Sequence, residues 1–148
     1  MNIYFVCSGN TCRSPMAEAL LRAKQLPHMH VRSAGLMTVD GLPMSEHAKT
    51  LVTRHKLPHT AESHALTEED VEWADLILTM TTSHEQLLHQ AFPESKEKVM
   101  TLKRFVGEET LNVADPFGGS LTHYEATFRE LQQLIDRLID QLQEEEKE

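Results

Sequence analysis

Asn2-Ile3-Tyr4-Phe5-Val6-Cys7-Ser8-Gly9-Asn10-Thr11-Cys12-Arg13-Ser14-Pro15-Met16-Ala17-Glu18 is the stretch that decides the fold. The run from Asn2 to Cys7 is apolar without alternation, which marks a strand buried on both faces, as in a parallel sheet. Ser8-Gly9-Asn10 is turn chemistry. Ser14 is placed to cap a helix, with Pro15 at its first position, where the missing N–H costs nothing. Met16, Ala19, Leu20 and Ala23 recur at helical spacing, and Leu26-Pro27 stops the helix. The stretch therefore reads as strand, loop and helix, with a thiol at one end of the loop and an arginine at the other.

Working outward, Met29 to Ala34 reads as a second strand ending at Gly35, and Ser45 to His55 as a second helix with Pro58 beyond it. Residues 59 to 66 lack a period and are expected to be extended. Thr67-Glu68-Glu69-Asp70 opens a short helix with an imperfect capping box. Asp75 to Met80 is the clearest strand. Thr82 or Ser83 is expected to cap the helix after it, which ends before Pro93. Val99 to Leu102 is a fourth short strand. Asp115-Pro116-Phe117-Gly118-Gly119-Ser120 is a loop. The last helix starts near Leu121 or Thr122, with Leu131, Leu134, Ile135, Leu138, Ile139 and Leu142 as its buried stripe. Glu144 to Glu148 is expected to fray. Strands alternating with helices imply an α/β fold, a four-stranded parallel sheet with helices on both faces and right-handed crossovers. Ligands of such sheets bind outside the carboxyl ends of the strands, where the loop after the first strand lies.

A chain of 148 residues suits a single domain, 1–148, and no repeat or linker interrupts it. A net charge of -9 argues against a nucleic-acid surface, so an anionic substrate must be attracted locally. The two cysteines both sit in the opening loop, unlike a secreted disulfide scaffold. No signal-like segment opens the chain, and no apolar run approaches the roughly 20 residues of a membrane span. The expectation is a cytoplasmic monomer without nucleic-acid or membrane partners.

The loop reads as a phosphate cradle with a nucleophile at its floor. Thiols beside an arginine at a helix N-terminus ionise more readily than free thiols. Five residues separate Cys7 from Arg13, enough to wrap backbone amides around three phosphate oxygens. The planar guanidinium of Arg13 offers two donors that match phosphate geometry. Gly9 is expected to take φ > 0, and Asn10 to tolerate the left-handed region while bonding the loop internally. Ser14 can donate its hydroxyl to the Cys7 sulfur. Two cysteines at this spacing, with no histidine pair, do not suit zinc.

Val6 to Glu18 resembles the signature of the low-molecular-weight protein tyrosine phosphatase family. The resemblance continues through Ser33-Ala34-Gly35, Ala74 to Met80 and Asp115-Pro116. It implies a four-stranded parallel sheet and a two-step mechanism through a phosphocysteine on Cys7. Asp115 would be the acid and then the base, and Arg13 and the loop amides would bind the phosphoryl oxygens. Without the resemblance, Asp115 before Pro116 is ordinary turn chemistry. The resemblance also implies that Ser8, Gly9, Asn10, Thr11, Cys12 and Ser14 form the substrate cradle, that Phe117 lies at its rim, and that no metal or cofactor is needed.

Thr11 stands where tyrosine phosphatases of the family usually carry a larger aliphatic residue. Phe117-Gly118-Gly119 stands where they have further aromatics. Both features are similar to the protein-arginine phosphatase branch, which implies arginine-phosphorylated proteins as substrates. An aliphatic rim would leave guanidinium N–H groups unpaired, at about 1–3 kcal/mol each. The alternatives are a phosphotyrosine phosphatase and a non-catalytic phosphoprotein-binding or redox-sensing module. Arsenate reduction would need further relay cysteines. Cys12 reads as a packing residue or as a redox partner for Cys7. None of the nine histidines is assigned to catalysis.

Overall fold

The computed structural model of the chain describes residues 1–146. Its four strands are β1 (Asn2–Cys7), β2 (His30–Gly35), β3 (Leu76–Thr79) and β4 (Val99–Thr101). They form one parallel sheet in the order β2-β1-β3-β4. Cys7 is in register with Gly35 on one side, and Val6 with Thr79 on the other. β1 is thus central, which is why its run is apolar on both faces. Ile3, Phe5 and Cys7 enter one core, with Met16, Leu51, Leu131 and Ile135. Tyr4 and Val6 enter the opposite one, with Val71, Ile77 and Leu88. Full burial of each such aliphatic side chain contributes about 1.5–3 kcal/mol.

The helices are α1 (Arg13–Arg22), α2 (Glu46–Arg54), α3 (Glu68–Trp73), α4 (Thr82–Ala91), α5 (Leu102–Phe105) and α6 (Leu121–Glu146). α3 opens with both halves of a Thr67–Asp70 capping box. α6 buries Leu131, Leu134, Ile135, Leu138 and Leu142, with Ile139 half-buried against the same core. Trp73 is half-buried, edge-on to Tyr4 and covered by the Arg32 guanidinium 4.0 Å above its ring. No described helix is long and apolar enough to cross a membrane.

Several boundaries differ from the sequence reading for identifiable reasons. α1 begins at Arg13 with Cys12 as its N-cap, so Ser14 lies inside the helix and does not cap it. Its hydroxyl is used by the loop instead. Thr81, and neither Thr82 nor Ser83, caps α4 through the His84 N–H. Leu102 opens the four-residue α5 and does not end β4, because the Thr101 hydroxyl caps a new turn there. A 3-10 turn over Pro93–Lys98 precedes β4. Neither short element carries a periodic signature. Residues Glu144 to Glu146 remain helical and exposed, and residues 147–148 of the expected frayed end lie outside the described residues.

The carboxyl ends of the strands converge around residues 8–12. The Leu36 N–H donates to the Cys7 carbonyl at 3.0 Å and the Met37 N–H to the Ser8 carbonyl at 2.9 Å. The Met80 N–H donates to the Val6 carbonyl at 3.0 Å, and the Val113 N–H to the Met80 carbonyl at 2.8 Å. That last bond carries the distant Asp115 segment to the loop. Gly35 is required by close approach, since a Cβ there would lie 2.6 Å from the Ser8 carbonyl oxygen.

Candidate active site

Cys7, 1% exposed, ends β1 at the floor of the loop. Its Sγ lies 2.9 Å from Ser14 Oγ. Asn10 Nδ2 donates to Ser14 Oγ at 2.9 Å and to Ser33 Oγ at 2.9 Å. Ser14 Oγ, accepting from Asn10, has its own proton left to donate to the sulfur. Ser33 Oγ donates to Glu18 Oε1 at 2.5 Å, and Asn10 Oδ1 accepts the His64 N–H at 2.8 Å. The loop is therefore held by side-chain bonds to α1, β2 and the segment before α3.

Asn10, at φ 57°, takes the left-handed conformation of this loop, whereas Gly9 does not, contrary to the sequence expectation. Asparagine tolerates that region, and three hydrogen bonds hold it there. Thr11 is half-buried in the loop, and its carbonyl accepts the Ser45 N–H at 2.9 Å, which ties the start of α2 to the loop.

Arg13 is buried. Nη1 donates to the Val113 carbonyl at 3.1 Å, and Nη2 lies 3.4 Å from Asp115 Oδ2. Its Nε is buried with no partner among the described residues. Buried guanidinium donors are normally satisfied, so an unanswered one in a loop that also holds a thiol is a mark of anion binding. α1 adds the positive end of its dipole behind the loop.

Asp115 is half-exposed at the mouth of the loop, and its Oδ1 accepts the Phe117 N–H at 3.0 Å. Gly118 sits at φ 80°, and the Gly119 N–H closes the turn on the Pro116 carbonyl at 2.8 Å. Phe117 projects from this turn, 76% exposed. Beyond Asp115 runs a groove of about 480 Å3, bounded by Phe117, His123, Thr127 and Glu130. On the other side, the rim from Leu36 to Pro43 exposes Met37, Val39 and Leu42. A larger groove of about 540 Å3 lies at the amino ends of β1 and β2, beside Trp73 and away from Cys7.

Cys12 is 6% exposed, and burial, then the neighbouring Cys7 charge, push its thiol up to about 11. It is a neutral packing group at ordinary pH, and both cysteines are free thiols. Sequence reasoning missed His84. Its Nε2 lies 2.8 Å from Ser8 Oγ and its Nδ1 2.9 Å from Thr81 Oγ1. Burial, followed by the Arg13 charge, pushes this ring down to about 4, with Asp115 opposing weakly. The available signal was Thr81 three residues before His84, at the carboxyl end of the strand beside β1.

Nucleophile, anion cradle and a carboxyl group across the mouth together suit in-line phosphoryl transfer to sulfur. Comparison with known proteins gives the same chemistry a lineage. Residues 2–148 match the family model for low molecular weight phosphotyrosine protein phosphatase. The chain is 46% identical over 144 residues to a protein-arginine-phosphatase of Geobacillus stearothermophilus, covering 97% of each. It is 40% identical over 138 residues to the low molecular weight protein-tyrosine-phosphatase PtpB of Staphylococcus epidermidis, covering 93% of this chain and 96% of that one. A solved structure of the YwlE arginine phosphatase from Geobacillus stearothermophilus superposes with a TM-score of 0.94, covering 97% of this chain and 94% of that one. With a family match over residues 2–148 and a loop that pairs Cys7 with Ser14 and Arg13 with Asp115, the chain belongs to the low molecular weight phosphotyrosine protein phosphatase family.

Proposed function

We propose that this chain is a protein-arginine phosphatase, working in the cytoplasm as a monomeric single domain and hydrolysing the P–N bond of phosphoarginine in proteins. The observation that carries the reaction type is the Arg13 side chain, at the other end of the loop that Cys7 opens, with a buried Nε unpartnered among the described residues and Nη2 3.4 Å from Asp115 Oδ2. In the first step the Cys7 thiolate attacks phosphorus in line. The P–N bond breaks with its electron pair on nitrogen, and Asp115, entering protonated, supplies the proton with which the guanidinium leaves. In the second step water attacks the phosphocysteine, its proton passes to the Asp115 carboxylate, and the S–P bond returns its electrons to sulfur. Arg13 and the loop amides hold the three equatorial oxygens throughout.

Arginine as the leaving group is supported by Thr11 in the cradle wall and by the Phe117-Gly118-Gly119 turn beside Asp115. It is also supported by the relative named a protein-arginine-phosphatase at 46% identity. Protonated Asp115 can donate to the nitrogen released from phosphorus, and its carboxylate can then pair with the departing guanidinium, which an apolar slot cannot do. The second reading, phosphotyrosine hydrolysis, is favoured by the relative named a tyrosine phosphatase at 40% identity. The reaction is tested by incubating an arginine-phosphorylated protein with the enzyme and with Cys7→Ser while measuring released phosphate. Release by the wild type alone supports the proposal, and no release by either contradicts it.

A further inference from the structure

His84 belongs to α4, outside the cradle assigned above, yet its ring is 5% exposed and reaches the first residue of the loop. Its protons can be placed one at a time. Thr81 Oγ1 accepts the backbone N–H of His84 at 3.2 Å. Thr81 Oγ1 keeps its hydroxyl proton and lies 2.9 Å from His84 Nδ1, so it is placed to donate to that nitrogen. The ring is buried beside the Arg13 charge, an environment that disfavours the imidazolium. A neutral ring that accepts at Nδ1 carries its proton on Nε2 and donates it to Ser8 Oγ at 2.8 Å. Ser8 Oγ, having accepted, has one proton left to give. The same logic operates on the other side of the loop, where Asn10 donates to Ser14 and frees the Ser14 proton for Cys7.

We propose that His84 is a positioning residue, which through Ser8 adds a side-chain donor to the oxyanion cradle formed by the loop amides and Arg13. Thr81 sets the histidine tautomer, His84 orients the serine hydroxyl, and Ser8 donates a hydrogen bond to a phosphoryl oxygen. The relay starts at the carboxyl end of β3 and ends beside Cys7 at the carboxyl end of β1, two strands that are neighbours in the sheet. The proposal rests on phosphoryl transfer at Cys7 and is indifferent to which leaving group departs.

The test is a double-mutant cycle of Ser8→Ala and His84→Leu, with His84→Gln as the conservative variant. Two readouts are taken, kcat/KM on an aryl phosphate and the dissociation constant of inorganic phosphate by calorimetry. A hydrogen bond to a charged oxygen corresponds to about a tenfold to hundredfold effect. Each single substitution is expected to lower kcat/KM and weaken phosphate binding by about tenfold. The double variant is expected to match either single one, because both remove the same donor. His84→Gln, whose amide N–H can reach Ser8, is expected to recover most of the loss. Equal and independent losses that multiply in the double variant would overturn the proposal, as would phosphate binding unchanged in Ser8→Ala. Phosphate binding tests the relay without turnover, so a wild type that bound phosphate yet hydrolysed nothing would contradict the phosphatase function separately. Should His84→Leu fail to fold, His84→Ala, which also removes the donor to Ser8, takes its place in the cycle.

Discussion

Arg13 Nη2 and Asp115 Oδ2 lie 3.4 Å apart across the mouth of the loop, one side chain buried and the other half-exposed. The buried partner is fixed by the Val113 carbonyl, while the half-exposed one is held by the Phe117 N–H through Oδ1 and turns its Oδ2 to Arg13.

Asp115→Asn keeps the shape of the turn, since an amide oxygen can still accept the Phe117 N–H, but removes the transferable proton. It is expected to lower kcat on phosphoarginine by about 10²–10⁴, the usual contribution of general acid–base catalysis. On an aryl phosphate with a good leaving group the loss should be smaller. Steady-state kinetics on both substrates checks this, and equal losses would remove the acid role.

Asn10→Ala deletes two donated bonds and one accepted bond that hold the loop. It also leaves a non-glycine, non-asparagine residue at φ 57°. A loss of about 2–4 kcal/mol in stability is expected from the unpaired partners and backbone strain. The Ser14 proton is no longer directed at sulfur, so alkylation of Cys7 by iodoacetamide at neutral pH should slow severalfold. Denaturant titration and labelling rates followed by mass spectrometry measure the two effects.

Gly35→Ala places a methyl group 2.6 Å from the Ser8 carbonyl oxygen, which is backbone and cannot swing aside. The expected cost is about 1–3 kcal/mol with a displaced loop. The activity loss, at least about tenfold, should exceed what the melting temperature predicts. Unchanged kcat/KM would show that the loop does not need this approach.

His84 gives a pH dependence whose sign follows from burial. Its folded value is pushed down to about 4 from 6.5, so between those values the unfolded chain binds the extra proton. The stability it contributes is complete above pH 6.5 and is lost as pH falls through 4. The groups that face it are Arg13, which opposes protonation, and Asp115, which favours it. His84→Gln should flatten the stability curve over this range in denaturant titrations, and an unaltered slope would place the titration elsewhere.

Legibility in the sequence followed the range of the contacts. Residues 2–18 announced strand, loop and helix because the burial pattern and Pro15 are local signals, and the Thr67–Asp70 box was readable for the same reason. Ser14 read as a cap because its true partners, Cys7 and Asn10, come together only when the loop closes. Asn10 met its expectation and Gly9 did not, because either residue tolerates φ > 0 and only the bonds to Ser14, Ser33 and His64 select Asn10. His84 was invisible because its contact with Ser8 depends on β3 lying beside β1, a consequence of topology rather than spacing.

The most direct measurement is kcat/KM for one peptide carrying phosphoarginine and for the same peptide carrying phosphotyrosine, in wild type and in Thr11→Ile. A wild-type preference for phosphoarginine that falls by about tenfold or more in Thr11→Ile, toward the aryl phosphate, is the expected result, in line with the cost of leaving a guanidinium N–H unpaired. A wild-type preference for phosphotyrosine would contradict arginine specificity outright, and selectivity unchanged by Thr11→Ile would remove Thr11 as its source.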